Sequence, residues 1–264
     1  MLGWFKPKLP VDGDEAEWLL AGFAWLMREF GGIERLRDTP LVLPTTAFFP
    51  RSDLEGHARA LELFGQIKIL CGMPDSDWPC DLLPGAAERE RHVAVAHALR
   101  HHDSPPLGTF GYDNGRYYIT YNPSALAEPE SLVATFAHEL SHFLLHTART
   151  SPPGGRVLGE HATDLGAVFM GFGTFMANSA KSFHQFQTTG EQGWEMRSQG
   201  YLSENALVTA LAMFVVLAET DEQAAEGQLK PYLRKPFRNA LAALRRTWPE
   251  LAASIAAVDL TEWR

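Results

Sequence analysis

The run Ala137-His138-Glu139-Leu140-Ser141-His142-Phe143 limits what this chain can fold into more than any other stretch, because it sits inside an apolar-periodic segment from Leu132 to Leu145. On a helical wheel Leu132, Phe136, Leu140 and Phe143 fall within roughly 80° of one another, while Thr135, His138, Glu139, His142 and His146 occupy a separate arc centred about 110° away. A helix with that pattern packs on one side and presents polar groups on the other. Imidazoles four residues apart stand one turn apart and are rotated by about 40°, so both reach one metal ion. Glu139 adjoins them without being counted as a ligand, the position from which a carboxylate takes a proton from water at a metal. A His-Glu-x-x-His string arises by chance in roughly 3% of chains of this composition, so its weight depends on its setting.

The setting supplies a third ligand candidate, Glu160, eighteen residues beyond His142, with Asp164 following four residues later. Between the two lies Ser151-Pro152-Pro153-Gly154-Gly155, which cannot continue a helix and turns the chain back. From Glu160 to about Asn178 the pattern predicts a second helix. Glu160, Asp164, Ala167, Gly171, Thr174 and Asn178 share one narrow face of it, and Phe169, Met170, Phe172, Phe175 and Met176 cover the rest. Small residues on that stripe allow close helix approach, which brings Glu160 to the metal and leaves Asp164 to accept the second ring N–H of a ligand His. The plainer alternative is that Glu160 only favours a helix N-terminus through the dipole.

With these residues in place, His138-Glu139-Leu140-Ser141-His142 followed by Glu160-x-x-x-Asp164 resembles the gluzincin metallopeptidases. Tyr118-Ile119-Thr120-Tyr121-Asn122, then Leu132 to His142, then Leu144-Leu145-His146 look like the small intracellular ImmA/IrrE-like peptidases, over about residues 117–170. Those proteins usually continue after the third ligand with Ala-Asn and a Phe-Ala, whereas here Glu160 is followed by His161-Ala162-Thr163-Asp164-Leu165 and a Gly-rich apolar segment. The resemblance implies a zincin-like fold and one Zn2+ ion held by His138, His142 and Glu160, with Glu139 as general base. It also implies a peptide or protein substrate laid along a sheet edge beside the cleft, and regulatory cleavage of an intracellular protein.

That sheet is predicted just upstream. Gly108–Tyr112 and Arg116–Tyr121 flank Asp113-Asn114-Gly115, residues tolerant of positive φ that suit a tight hairpin turn. Elsewhere the periodicity is helical over Asp14–Phe30, with Asp14 as cap and Gly31-Gly32 as stop, over Asp53–Cys71, and over Ala86–Arg100. Thr39–Pro50 reads as extended, Ser203–Leu217 as a helix capped by Ser203, and Lys235–Thr247 as a helix with Pro236 in its first turn. His92, His97, His101 and His102 adjoin a Pro-rich loop and read as solvated. The polar stretch Lys181–Gln199 reads as a long surface loop; with the following Tyr201 it offers His184, Arg197 and Tyr201 as candidate donors to an oxyanion.

The expected fold is therefore α+β, predominantly helical with a small antiparallel sheet beside the metal-binding helix. Its parts are an N-terminal, mainly helical region (1–107), a core of hairpin, metal helix and Glu-bearing helix (108–180), and a loop with C-terminal helices packed on that core (181–264). A net charge of −9 argues against a nucleic-acid partner, and the basic group Lys230, Arg234, Lys235, Arg238, Arg245 and Arg246 reads as a solvated helix face. No membrane partner is expected, since the apolar runs Leu165–Ala180 and Ala206–Ala218 fall short of the roughly twenty residues that span a bilayer. The opening Met1-Leu2-Gly3-Trp4-Phe5-Lys6-Pro7 lacks an export signal, and Cys71 and Cys80 suit free thiols in the cytoplasm. Gly171-Phe172-Gly173 follows no strand and is not a nucleotide fingerprint. The competing functional class is a non-catalytic zinc-stabilised binding or sensor module. A fourth ligand, His161 or His146, would close such a site, although His146 lies about 6 Å further along the axis than His142.

Overall fold

A computed structural model describes residues 8–85, 108–185 and 201–263. Its helices are α1 (Gly13–Glu29), α2 (Gly32–Asp38), α3 (Gly56–Leu70), α4 (Pro129–His146), α5 (Gly159–Ala167), α6 (Gly173–Gln185), α7 (Glu204–Leu217), α8 (Glu222–Gln228), α9 (Pro231–Thr247) and α10 (Leu251–Ala256). Its strands are β1 (Cys80–Pro84), β2 (Gly108–Asp113) and β3 (Arg116–Tyr121). The protein is predominantly helical with one small sheet, as its sequence indicates. The helix expected over Ala86–Arg100 and the histidines from His92 to His102 lie outside the described residues.

The sheet has the order β1-β3-β2 and is mixed rather than purely antiparallel. β2 and β3 form the expected hairpin, with Asp113 opposite Arg116 and the turn made by Asn114 (φ 48°) and Gly115 (φ 84°). β1 was not visible in the sequence: it is five residues long, ends on Pro84, and pairs in parallel with β3 from Cys80 opposite Tyr117 to Pro84 opposite Tyr121. The sheet thus crosses the boundary drawn at residue 107. α3 is tied to the segment feeding β1 by the buried Lys68, whose ammonium donates to the Asp75 carboxylate and to the Trp78 carbonyl at 2.6 Å. Cys71 and Cys80 are both buried free thiols.

α1 begins two residues earlier than its apolar pattern suggests. Its cap is Asp12, not Asp14: the Asp12 carboxylate accepts from the Glu15 N–H at 2.9 Å. Gly31 and Gly32, at φ 98° and 74°, then turn the chain directly into α2, too short to announce itself by periodicity. Ser203 caps α7 as expected, accepting from the Ala206 N–H at 3.1 Å. α9 opens with Pro231 rather than at Lys235, which leaves Pro236 inside it. Three of its basic side chains are engaged by the preceding helix and loop: Arg245 pairs with Glu222, Arg238 with Glu226 at 3.7 Å, and Arg234 donates to the Leu229 carbonyl at 2.9 Å.

The largest departure concerns the segment from Glu160 to Asn178. It is not one helix. α5 ends at Ala167, a wide turn covers Val168–Phe172, and α6 restarts at Gly173 and runs to Gln185, into the stretch expected as loop. The break is at Gly171, whose φ of 93° is in the left-handed region. Its carbonyl accepts from the Val42 N–H at 3.0 Å, and a Cβ there would come within 2.1 Å of the Pro40 carbonyl oxygen. A wheel projection sees side-chain faces; it does not see a crossing backbone from residues 40–42 that claims a peptide group. That crossing stretch, expected to be extended, is irregular but buried at Leu41, Val42 and Leu43.

α7 occupies the middle of the apolar core, with Leu207, Val208, Leu211 and Phe214 each buried to 1% exposure or less, and α6, α9 and α1 pack around it. A helix apolar on every side is what a central position allows. No described helix is long and apolar enough to cross a membrane.

Candidate metal centre

α4 carries the motif on an unbroken helix of 18 residues, with Pro129 in its first turn, where the missing N–H has no intrahelical partner to lose. Leu132, Phe136, Leu140 and Phe143 are buried as the wheel predicts. His138 and Glu139 are also buried, at 2% and 6% exposure, whereas His142 is half-buried. The polar arc is thus covered by other parts of the fold at Thr135, His138 and Glu139, and opens toward solvent at His142 and His146.

Part of that cover is α5. The connection from Thr147 to Leu158 is pinned to α1: the Trp25 indole donates to the Thr150 hydroxyl at 3.0 Å, the Trp18 indole to the Pro153 carbonyl at 3.1 Å, and Glu29 accepts from the Arg149 N–H at 2.8 Å. So held, the chain re-enters as α5 against α4. Their close approach is at Gly166, where a Cβ would come within 2.1 Å of the Ser141 hydroxyl oxygen. Gly166 lies beside the small-residue stripe read from the sequence rather than on it.

Glu160 stands in the first turn of α5, with one carboxylate oxygen 3.3 Å from His138 Nε2 and 3.6 Å from His142 Nε2. The two rings lie nearly perpendicular, 4.8 Å apart. One ligand atom from each of His138, His142 and Glu160 falls within 4.8 Å of the others, and among the described residues no other His, Cys or carboxylate group converges this way. The opposite ring edges are held by α5 as well. Asp164, buried at 2% exposure, is 2.8 Å from His138 Nδ1, and its other oxygen accepts from the Leu202 N–H at 2.8 Å. Thr163 Oγ1 is 3.2 Å from His142 Nδ1 and donates its own hydrogen to the Gly159 carbonyl at 3.0 Å. A hydroxyl so committed accepts from Nδ1–H. With each Nδ1 engaged by α5, Nε2 is the nitrogen that both histidines turn toward Glu160, the orientation a metal site requires.

The electrostatics favour a cation at this point. Burial acts against a charge on His138, but the hydrogen bonds to Asp164 and Glu160 outweigh it and raise the imidazole well above its ordinary value. Burial likewise acts to raise Glu160, yet its hydrogen bonds to His138 and His142 hold the carboxyl far below the usual carboxylate range. Two imidazole nitrogens and one carboxylate oxygen with fixed outer partners could hold a metal ion. No family model, curated protein or solved structure matches the chain.

Glu139 is not part of the triad. It points toward β2, where a Cβ on Gly108 would lie 3.0 Å from its carboxylate, and the Phe110 backbone N–H faces it. Burial raises its pKa, countered by the nearby His142 and His138. Asp113 and Arg116, which flank a two-residue turn, form a bonded pair; alternation then makes Gly111–Tyr118 and Thr109–Thr120 bonded as well. The backbone groups of Gly108, Phe110 and Tyr112 accordingly face the outer edge of the sheet, toward the centre.

Of the three candidate oxyanion donors, the fold brings Tyr201 to the centre: its ring meets His138 edge-on at 5.1 Å. Burial, and then the negative charge of Glu160, Glu139 and Asp164, raises its phenol and keeps it a donor. Arg197 and the side chain of His184 lie outside the described parts. His161 turns to Trp18 (5.8 Å between rings) and His146 to Phe110 and Tyr117, so neither joins the triad. Sequence reasoning missed Thr163, although its place three residues after Glu160 puts it on the same side of α5. It also missed Gly108, whose role depends on a strand crossing α4.

Proposed function

We propose that the chain is a zinc-dependent peptidase of the gluzincin kind. His138, His142 and Glu160 hold the ion. When bound, Zn2+ acts as a Lewis acid that lowers the pKa of water and polarises a carbonyl. The rest is done by the chain's own residues. Glu139, raised by burial yet adjacent to both ligands, takes the proton of the attacking water and returns it to the leaving amine. Tyr201 remains protonated beside His138 and donates to the oxygen that gains charge on the attacked carbonyl. The outer edge of β2 offers the Phe110 carbonyl and the Tyr112 backbone to an extended chain, which makes a peptide or protein the fitting substrate. Buried free thiols at Cys71 and Cys80 suit a reducing compartment, and so cleavage of an intracellular protein in the cytoplasm.

The observation that carries this reading is the placement of Glu139. A buried carboxylate next to the triad but outside it stands where a base for water at the metal is needed, and in a site that only clamped helices its part would be limited to accepting the Phe110 N–H. The clamp remains the second reading because Asp164 bridges His138 to Leu202, so an ion would fasten α4, α5 and the approach to α7 together. Glu139→Gln separates the two: it keeps the metal and the fold and lowers peptide cleavage by about 10²–10⁴ at matched zinc occupancy. Equal cleavage by the two proteins removes Glu139 as base. Silence of the wild type on every cellular protein tried leaves the clamp.

A further inference from the structure

The helix-facing side of the β2–β3 hairpin carries aromatic rings that the chemistry above does not use. Phe110 lies nearly parallel to the ring of the ligand His142 (8° between planes, centroids 6.5 Å apart) and stacks on Tyr117 at 5.6 Å. Tyr117 in turn packs on the buried Phe143 at 4.4 Å and meets His146 at 5.7 Å. The row ends at Tyr112, 4.8 Å from Tyr117 and 61% exposed. The register explains the alignment: Phe110 opposes Ile119 and Tyr112 opposes Tyr117, so these side chains share one face of the sheet.

Phe110 and Tyr117 have a packing reason to be there, since they cover Phe143. Tyr112 has much less of one, because most of its ring faces solvent. A row that starts on a metal ligand and runs outward, parallel to the strand edge whose backbone faces the centre, is a surface for a side chain of whatever lies along that edge. On the peptidase reading, on which this inference rests, that is a residue flanking the cleaved bond. We propose that Phe110, Tyr117 and Tyr112 form the specificity shelf of the centre, and that it selects an aromatic side chain beside the bond that is cut. Offset stacking and edge contacts with two or three rings favour an aromatic occupant over a small one.

The test reads binding rather than turnover. The zinc-loaded full chain is titrated calorimetrically with acetohydroxamic acid, which reaches only the ion, and with 3-phenylpropionohydroxamic acid, which adds a ring on a short arm. The phenyl compound is expected to bind roughly tenfold more tightly to the wild type. Tyr112→Ala, at an exposed position, is expected to keep the wild-type melting temperature and acetohydroxamate affinity while losing most of that advantage, and Tyr112→Phe to keep it. Equal affinity of the two compounds for the wild type overturns the shelf, as does an advantage that survives in Tyr112→Ala. If the predicted discrimination is seen while no peptide is cleaved, the shelf stands and the peptidase reading fails. Discrimination absent from a chain that cleaves peptides has the opposite meaning.

Discussion

The two helices that build the centre are made differently. α4 is a long, uninterrupted helix whose candidate ligand His138 and neighbour Glu139 are buried, and whose apolar stripe is locked into the core. α5 is nine residues long, begins after a Gly-rich turn, and stops where Gly171 breaks the helical path. Its candidate ligand Glu160 keeps more than a third of its side chain exposed. The long helix fixes two candidate ligands by its own geometry, because i and i+4 positions cannot move independently. The short one is fixed from outside: by α1 through the Thr147–Leu158 connection, by residues 40–42 at its end, and by Asp164 and Thr163 against the histidine rings. A rigid ligand pair and a ligand borrowed from a tethered segment make a site that forms only when distant parts of the chain have assembled.

The hardest test of that contrast removes ligands from either side. His138→Ala takes one of three donors from the rigid helix, and stoichiometric zinc is expected to be lost, as read by elemental analysis of the purified protein; full occupancy would mean the triad is not the site. Glu160→Gln should weaken metal binding by more than the 10–100-fold typical of an outer hydrogen-bond partner, and Asp164→Asn should stay within that range. A reversed order, measured by competition with a chelator, would show that Asp164 rather than Glu160 faces the ion.

A smaller but structural break lies at the end of α5. Gly171→Ala puts a Cβ against the Pro40 carbonyl at a backbone conformation that side chains disfavour, and is expected to lower stability by about 2–4 kcal/mol in denaturant unfolding. Gly65, inside α3 with open space around it, is the control: Gly65→Ala should be neutral or stabilising by about 0.5–1 kcal/mol. Equal effects at the two positions would mean that residues 40–42 do not hold the helix break.

The same contrast explains what the sequence could reveal. The faces of α4 were legible because they follow from local spacing, although the helix starts three residues before the expected run, and so were the convergence of His138 and His142 and the pairing of Asp164 with a histidine. The hairpin was legible because Asn114 and Gly115 accept the positive φ a two-residue turn needs. The break at Gly171, the parallel strand β1 and the close approach at Gly166 were not, since each depends on a partner far along the chain. Wheel analysis gave Glu160 and Asp164 the correct side of α5 because they precede the break; it extended the stripe through Thr174 and Asn178, where Asn178 instead bonds the Gln228 carbonyl and the Lys230 N–H.

The finest comparison is between the two outer partners on α5. Asp164 meets His138 where both are buried at 2% exposure, so no water can take its place if the carboxylate is lost. Thr163 meets His142, which is half-buried, and it contributes a neutral hydroxyl rather than a charge. Its hydrogen is already given to the Gly159 carbonyl, so its role toward the ring is that of acceptor, fixing the tautomer that leaves Nε2 free. Thr163→Val keeps the shape and removes the acceptor; solvent then supplies a replacement at modest cost, and metal affinity is expected to fall by less than about tenfold, against 10–100-fold for Asp164→Asn. Thr163→Ser restores the acceptor and should recover the wild-type value. If Thr163→Val matches Asp164→Asn instead, burial is not what separates the two partners, and the exposed edge of His142 must be as dry in the metal-bound protein as the buried edge of His138.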